Sequence, residues 1–377
     1  MDNSFPEINS NFGFGCMRLP MNDDKVDMKE FKAMVDYFLD NGFNYFDTAH
    51  GYLNGLSELA IKDAVTSRYP RDKYILTDKL TGSYFDKEED IRPIFEKQLE
   101  CTGVEYFDFY LMHAQNAKEF EKFKKCRAYE TAFALKKEGR VRHVGISFHD
   151  KAAVLDQILS EYPQIEVVQI QFNYLDYDDP FVESAKVYEA ARRHNKPVIV
   201  MEPVKGGSLF NLPEEAQKIF DGLHGGSNAS YALRFAAGFD GIRIVLSGMS
   251  NLGQMKDNVS TMKDFQPLDD QEMEAVKKVN RIFRGLNVVS CTDCHYCIEE
   301  NQCPEHIRIP HLFECLNSKK VFHNKFMDHR YSTLTKNGNG KASDCIKCGG
   351  CEKVCPQHLP IRDLLEQVAA EFEKQQA

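Results

Sequence analysis

Two sets of side chains in this 377-residue chain have the types and spacing for chemistry. The first is cysteine: nine of the twelve fall between Cys291 and Cys355. They form the runs Cys291-x2-Cys294-x2-Cys297-x5-Cys303-Pro304 and Cys345-x2-Cys348-x2-Cys351-x3-Cys355-Pro356, with Cys315 left over. Three thiolates spaced by three residues can wrap one face of an iron–sulfur cubane, while a fourth, followed by proline, is led away toward a neighbouring cluster. The spacing therefore predicts two [4Fe-4S] clusters with crossed ligation. Cys291, Cys294, Cys297 and Cys355 hold one; Cys345, Cys348, Cys351 and Cys303 hold the other. The five-residue gap before Cys303 is the departure from the pattern. Zinc sites also use four cysteines, but commonly as two C-x2-C pairs rather than triplets with a trailing Cys-Pro.

The second set is Asp47, Tyr52, Lys79 and His113. Singly, each has a bland reading: a strand-end cap, a loop packing residue, a snorkelling lysine, a core histidine. Together they suit hydride transfer at a carbonyl carbon. A developing alkoxide needs a proton, and a tyrosine hydroxyl can give one if its conjugate base is stabilised. Lys79 can do that, lowering the phenol pKa, while Asp47 holds the ammonium in place. His113 can donate a hydrogen bond to the substrate oxygen or relay a proton.

Such residues need a scaffold that brings distant strand ends together. Eight β-rich runs recur from residue 12 onward: 12–17, 44–48, 74–79, 107–113, 142–147, 166–172, 198–202 and 243–247. Amphipathic segments lie between them. Phe31, Val35, Phe38 and Leu39 share a helix face that Asn41-Gly42 stops, Asp150 can cap a helix carrying Val154, Leu155, Ile158 and Leu159, and Gly139 ends another. Eight β/α units predict an α/β fold of the (β/α)8 TIM-barrel type, in which catalytic groups sit at the C-terminal strand ends. No G-x-G-x-x-G turn supports a doubly wound sheet. A further helix, 269–283, leads out of the barrel, and the alternation ends after Val289.

NYFDTAHGY, LTDK and LMH resemble the Asp, Tyr, Lys and His tetrad regions of the aldo-keto reductases, a likeness covering residues 12 to about 265. The resemblance implies an NAD(P)(H)-dependent oxidoreductase whose nicotinamide cofactor lies extended across the barrel mouth. On it, Ser147 and Gln169 would bind the carboxamide, and Met17, Met201 and Pro203 would lie along the nicotinamide and its ribose. SGMSNLGQMKDN (247–258) aligns with the stretch that grips the adenosine end, where Asp257 and Asn258 match the adenine-binding pair. Gly248 and Gln254 stand where NADP-preferring members place Lys and Arg, and a 2′-phosphate wants paired cations. Met201 occupies the usual place of a stacking aromatic. NAD(H) is thus expected over NADP(H).

The C-terminal runs contain an internal repeat. Cys303-Pro-Glu-His-Ile and Cys355-Pro-Gln-His-Leu are near copies 52 residues apart, each preceding a segment of helical spacing. A helix-prone stretch, Leu312 to Asp328, lies between the runs, and Cys315 reads as a residue of its core. The tail resembles a dicluster ferredoxin of the helical type. The expected domains are therefore 1–285, an aldo-keto reductase-like barrel, and 286–377, a small, mainly α-helical ferredoxin-like domain.

A formal charge of −10 argues against nucleic acid as a partner. No apolar run reaches membrane-spanning length, and MDNSFPEINSNFG is not a secretory signal, so a cytoplasmic address is expected. A small carbonyl or alcohol is the expected substrate. Hydride transfer moves two electrons whereas each cluster passes one, which leaves three arrangements open. The clusters are structural or redox-sensing beside a working reductase; they relay electrons to an external carrier, with a flavin or partner splitting the pair; or the chain is mainly a redox-responsive nicotinamide-binding subunit.

Overall fold

The computed structural model describes residues 4–180, 182–223, 225–301, 303–336 and 338–373. All eight expected strands form: β1 (Phe12–Gly15), β2 (Tyr45–Asp47), β3 (Ile75–Leu80), β4 (Phe107–Gln115), β5 (Val141–Phe148), β6 (Val167–Gln171), β7 (Val198–Met201) and β8 (Ile242–Gly248). Each pairs in parallel with its sequence neighbours, and β8 returns to β1, so the sheet closes into a barrel. A two-stranded antiparallel ribbon, Met21–Asn22 with Lys25–Val26, stands apart from it.

Because side chains alternate along a strand, one residue in two faces the barrel axis. Tyr45, Ile75, Phe109, Leu111, Val167, Ile199, Ile244 and Leu246 fill that interior, together with Ile8 and Phe5 of the N-terminal segment. Two positions admit only glycine for space. A Cβ at Gly13 would stand 2.7 Å from Leu246 Cδ2, and one at Gly145 2.5 Å from Val167 Cγ1. Continuing the inward alternation in steps of two residues toward each strand's C-terminal end reaches Asp47, Lys79, His113, Ser147, Gln169 and Met201. The alternation that packs the core thus sets these side chains on one rim.

The helical layer follows local chemistry. Helix Met28–Asp40 begins where Asp27 Oδ1 accepts from the amides of Lys29 and Glu30, and it ends at Asn41 before Gly42 at φ 87°. Its buried face is Phe31, Met34, Val35 and Phe38. Two local expectations are corrected. Helix Ala152–Glu161 starts from Lys151 without a side-chain cap, because Asp150 turns instead to the amides of Lys151 (2.8 Å) and Ala117 (2.9 Å), the latter opening a different helix. The helix expected over Leu312–Asp328 is two helices, Ile309–Phe322 and Phe326–Leu334, broken at His323, whose φ of 49° no right-handed helix continues.

The chain divides into two compact units: Met1–Pro203 with Ala229–Asp269, and Val204–Asn228 with Asp270–Ala377. The compact units divide at 269, and residues 204–228 group with the second. Helix Asp270–Gly285 packs against Glu214–Asp221 within the second unit. Gly206, at φ 61°, lies so close to Thr292 that a Cβ there would meet its carbonyl oxygen at 2.4 Å. The rest of this unit is helical, as expected, around Leu312, Phe313, Leu316, Ile361, Leu365 and Val368. Asn317 buckles its start, donating to Val289 O and accepting from Val289 N, both at 2.7 Å.

Candidate active site and cysteine cavities

The rim of the barrel gathers all four residues of the second set. Lys79, fully buried, extends its ammonium to Asp47 Oδ1 at 2.6 Å, to the Thr48 carbonyl at 2.7 Å and to Tyr52 Oη at 3.2 Å. Tyr52 opens a tight turn, Tyr52–Gly55, in which Leu53 and Asn54 both take φ 54°. Ser57 anchors that turn through its hydroxyl to the Cys16 carbonyl (2.8 Å), and Thr48 Oγ1 pairs with Ser57 Oγ (2.8 Å). The Tyr52 and His113 rings meet edge to face, 5.9 Å between centroids. His113 stands at a register shift between β4 and β5, next to Ala114 at φ 50°, and such bulges re-aim side chains.

Electrostatics sharpen these roles and correct one expectation. Burial, then the Asp47 carboxylate, pushes the Tyr52 hydroxyl well above its ordinary pKa rather than below it. Lys79 does not reverse this because its charge is spent on Asp47 and the Thr48 carbonyl, both nearer than the phenol. The phenol therefore rests protonated, the form a general acid needs. Burial, then Lys79 and His149, hold His113 well below the ordinary imidazole pKa, so the ring is neutral. Its Nδ1 lies 2.7 Å from Thr81 Oγ1. With Nδ1 accepting from that hydroxyl, the ring proton belongs on Nε2.

The cysteines separate into two fours. Cys291, Cys294, Cys297 and Cys355 line one small cavity, with Phe313 and Ile361 among its walls. Cys303, Cys345, Cys348 and Cys351 line another, with Ile307 and Leu365. Ile309 borders both. The grouping is the crossed one, and Cys303 joins the second four despite its longer spacing; Gln302, inside that gap, lies outside the described residues. Burial and then its neighbours Cys294, Cys291 and Cys355 push the Cys297 thiol far up, while Cys351 is raised to about 11 by burial, Glu352, Cys345 and Cys303. Crowded thiols that cannot ionise together are what a cationic iron core would relieve.

The sequence repeat is also a backbone repeat. Asp293 (φ 55°) and Lys347 (φ 58°), His295 (66°) and Gly349 (74°), and His306 (52°) and His358 (50°) hold matching left-handed positions. The His306 amide returns to the Cys303 carbonyl at 2.9 Å and the His358 amide to Cys355 at 3.1 Å. Cys315 is fully buried in the helix between the runs, as expected of a core residue.

Comparison with known proteins agrees with the barrel. The family model for the aldo/keto reductase family matches residues 11–281. The chain belongs to that family. As an aldo-keto reductase it is an oxidoreductase, and a second model, the 4Fe-4S dicluster domain, matches residues 290–360. Among curated proteins it is 25% identical over 304 residues to 4-dihydromethyl-trisporate dehydrogenase of Mucor mucedo, covering 72% of this chain and 90% of that one. Among solved structures, the holo form of an aldo-keto reductase from Bacillus halodurans superposes with a TM-score of 0.58 at 25% identity, covering 71% of this chain and 91% of the other. An aldo-keto reductase from Klebsiella pneumoniae in complex with NADPH shares the fold, with a TM-score of 0.60 at 16% identity over 72% and 90% of the two chains.

The residues that the family resemblance assigned to cofactor occupy the same rim. Ser147 and Gln169 are cross-strand neighbours, as are Gln171 and Met201. Ser147 Oγ accepts from the Ala114 amide at 2.8 Å, and Gln169 Nε2 donates to Asp47 Oδ2 at 3.0 Å. The glutamine's amide nitrogen is therefore engaged by Asp47 of the tetrad. Met17 and Met201 are half-buried and Pro203 buried. Asn258 donates to Ser247 Oγ at 2.9 Å, beside half-buried Asp257, and Gln254 folds back to accept from the Ser250 amide at 2.8 Å. Exposed Gly248 has a cation beside it that sequence reasoning missed: Arg18 Cβ stands 3.4 Å from where its own Cβ would be. The Arg18 guanidinium pairs with Glu202 at 3.1 Å, and Glu202 sits at φ 56°. Arg18 follows Met17 at the end of β1, so its position on the rim was the signal available.

Proposed function

We propose that the barrel interconverts a small aldehyde or ketone and its alcohol with NAD(P)(H), and that the C-terminal unit carries two [4Fe-4S] clusters held by the two groups of four cysteines. The observation that carries the first part is the single ammonium of Lys79, in contact with both Asp47 and Tyr52. Bound across the rim, the reduced nicotinamide supplies a hydride to the carbonyl carbon. The chain supplies the rest. The neutral His113 Nε2–H donates to the carbonyl oxygen and orients it. Tyr52 passes its hydroxyl proton to that oxygen as it becomes an alkoxide, and the Lys79 ammonium 3.2 Å away stabilises the phenolate left behind. Asp47 holds the Lys79 ammonium in place at 2.6 Å, and solvent returns the proton to Tyr52. In the oxidative direction the same groups run in reverse.

Ser147, the Gln169 amide oxygen, Met17, Met201 and Pro203 would hold the nicotinamide end, and Asp257 and Asn258 the adenine end. NADH is the expected partner, because Gly248 and Gln254 carry no charge and Arg18 is engaged by Glu202. For the C-terminal unit, the thiol-lined cavities with apolar walls fit cubane clusters, which supply one-electron chemistry or a cross-link when bound.

The test combines titration of the anaerobically purified chain with NADH and NADPH, turnover against a panel of small aldehydes and ketones, and iron and sulfide analysis. NADH-dependent reduction with about eight irons per chain, four to each cubane, supports the proposal. Stoichiometric zinc overturns the cluster assignment, a clear NADPH preference overturns the cofactor choice, and nicotinamide binding without turnover overturns the reductase reading.

A further inference from the structure

Two acids that the tetrad does not use join the segment bearing Tyr52 to the strand bearing Lys79. Glu58 lies in the helix Leu56–Ile61 that follows the Tyr52 turn, and Asp78 directly precedes Lys79 in β3. Since Lys79 faces the barrel axis, Asp78 faces the opposite way, toward helix Glu88–Thr102. Neither carboxyl has any solvent exposure.

Their hydrogen bonds can be followed atom by atom. Asp78 Oδ1 accepts from the Lys79 amide at 2.7 Å and from Gln98 Nε2 at 2.9 Å. Gln98 Nε2 also reaches the Lys79 carbonyl (2.9 Å), and its Oε1 accepts from the Tyr110 hydroxyl (2.7 Å). Glu58 Oε2 lies 2.9 Å from His50 Nδ1. Glu58 Oε1 and Asp78 Oδ2 remain, both buried and neither with a donor. Each carboxyl acts directly on the other, and the Gln98 amide and Cys101 thiol also bear on Glu58. A buried acceptor left without a donor is destabilising, and two adjacent buried carboxylates repel as well. A single proton between the two remaining oxygens satisfies both at once.

We propose that Glu58 and Asp78 share one proton as a carboxylic acid–carboxylate pair that positions the Tyr52 turn against the Lys79 strand, with His50 connecting the pair to solvent. His50 is suited to this, for its side chain is 22% exposed and its ring rests edge-on against Tyr84.

The surroundings supply no opposite charge that could replace the proton. On β3 itself, the Lys79 ammonium is engaged by Asp47. From helix Glu88–Thr102 come Gln98, which is neutral, the Cys101 thiol, whose pKa burial raises, and Lys97, exposed and paired with Glu100 at 2.7 Å. From β4 comes the Tyr110 hydroxyl, also raised by burial, and from the Tyr52 loop His50, lowered by burial and so neutral. Burial accordingly pushes Glu58 up to about 7, while burial and then the Glu58 charge raise Asp78. A carboxyl whose folded pKa is raised contributes stability that is present at acid pH and is lost as pH rises through the folded value. The second ionisation sets two carboxylates face to face, and their repulsion loosens the Tyr52 turn from β3.

The test needs no substrate, so it can fail independently of the reductase reading. Infrared titration of the full, cluster-loaded chain reads the carbonyl stretch of a buried protonated carboxylic acid, expected near about pH 6 and fading toward alkaline pH. Glu58→Gln and Asp78→Asn should each abolish it. Glu58→Gln puts an amide N–H where the proton was, so its thermal midpoint should match or exceed that of the unmodified protein at alkaline pH and should lack the decline with pH. Glu58→Ala should lower the midpoint at every pH, because it leaves Asp78 Oδ2 without a donor. Rescue by Gln and not by Ala distinguishes a shared proton from packing; should one amide variant fail to fold, the other carries the same comparison. Absence of the band in the unmodified protein overturns the proposal, as does a band surviving both amide variants or a parallel pH dependence of the unmodified protein and Glu58→Gln.

Discussion

The rim of the barrel and the cysteine unit solve the same problem by opposite means. At the rim, Asp47, Lys79 and His113 arrive singly from three strands, and only barrel closure brings them together. In the C-terminal unit one local pattern is used twice, and each half lends its last cysteine to the other's cavity. A site built by topology tolerates almost no substitution because each member is unique. A site built by repetition has an internal control, since whatever is done to one half can be done to the other.

That contrast can be broken or sharpened by experiment. The largest effect should come from Tyr52→Phe, which removes the proton while preserving the ring. Loss of a general acid predicts a fall in kcat of about 10²–10⁴-fold with KM little changed, read by steady-state NADH oxidation with the best aldehyde of the panel. Next is Lys79→Met, which takes the counter-charge away from the buried Asp47 carboxylate. It should cost about 3–5 kcal/mol in denaturant unfolding, and Lys79→Met/Asp47→Asn should recover part of it. In the other region, Cys303→Ser and Cys294→Ser each remove one thiol from a different four. Equal loss of iron from the two would extend the repeat to function, whereas a milder effect of Cys303→Ser would make the five-residue gap a real asymmetry. The smallest effect is the His113 titration. Its folded pKa is depressed below the ordinary 6.5, so its contribution to stability is present above that value and is lost as pH falls toward the folded pKa. His113→Gln should flatten the acid limb of the thermal midpoint by at most about 1.4 kcal/mol per pH unit.

Legibility followed the same divide. The cysteine grouping could be read from spacing because most of each four lie close in sequence, and even the crossed fourth cysteine is announced by its proline. The eight strands were legible too, since a parallel strand buried on both faces is a near-continuous apolar run. What escaped were properties that exist only after closure. The pKa direction at Tyr52 was misjudged because the sequence shows a lysine near a tyrosine but not how that lysine divides its contacts. Arg18 and Glu202 lie 184 residues apart and pair only across the rim. Gln169 was assigned to cofactor, but its bond to Asp47 depends on β6 standing where the barrel places it. Asp78 went unremarked because, beside a lysine that faces inward, nothing in the sequence says what the outward neighbour will meet. The break at His323 was missed because a lone histidine at φ 49° carries no signature in composition.

The second compact unit is not a contiguous tail, for residues 204–228, which follow directly from β7 and Pro203, belong to it. Its gene segment is therefore interleaved with that of the host barrel rather than appended to it. Cutting the chain at residue 285 would leave the insertion its packing helix Asp270–Gly285 but take away Thr292, against which Gly206 lies. Transplanting the cysteine unit onto another barrel would require carrying the insertion as well, so the two units have to be inherited, expressed and engineered together.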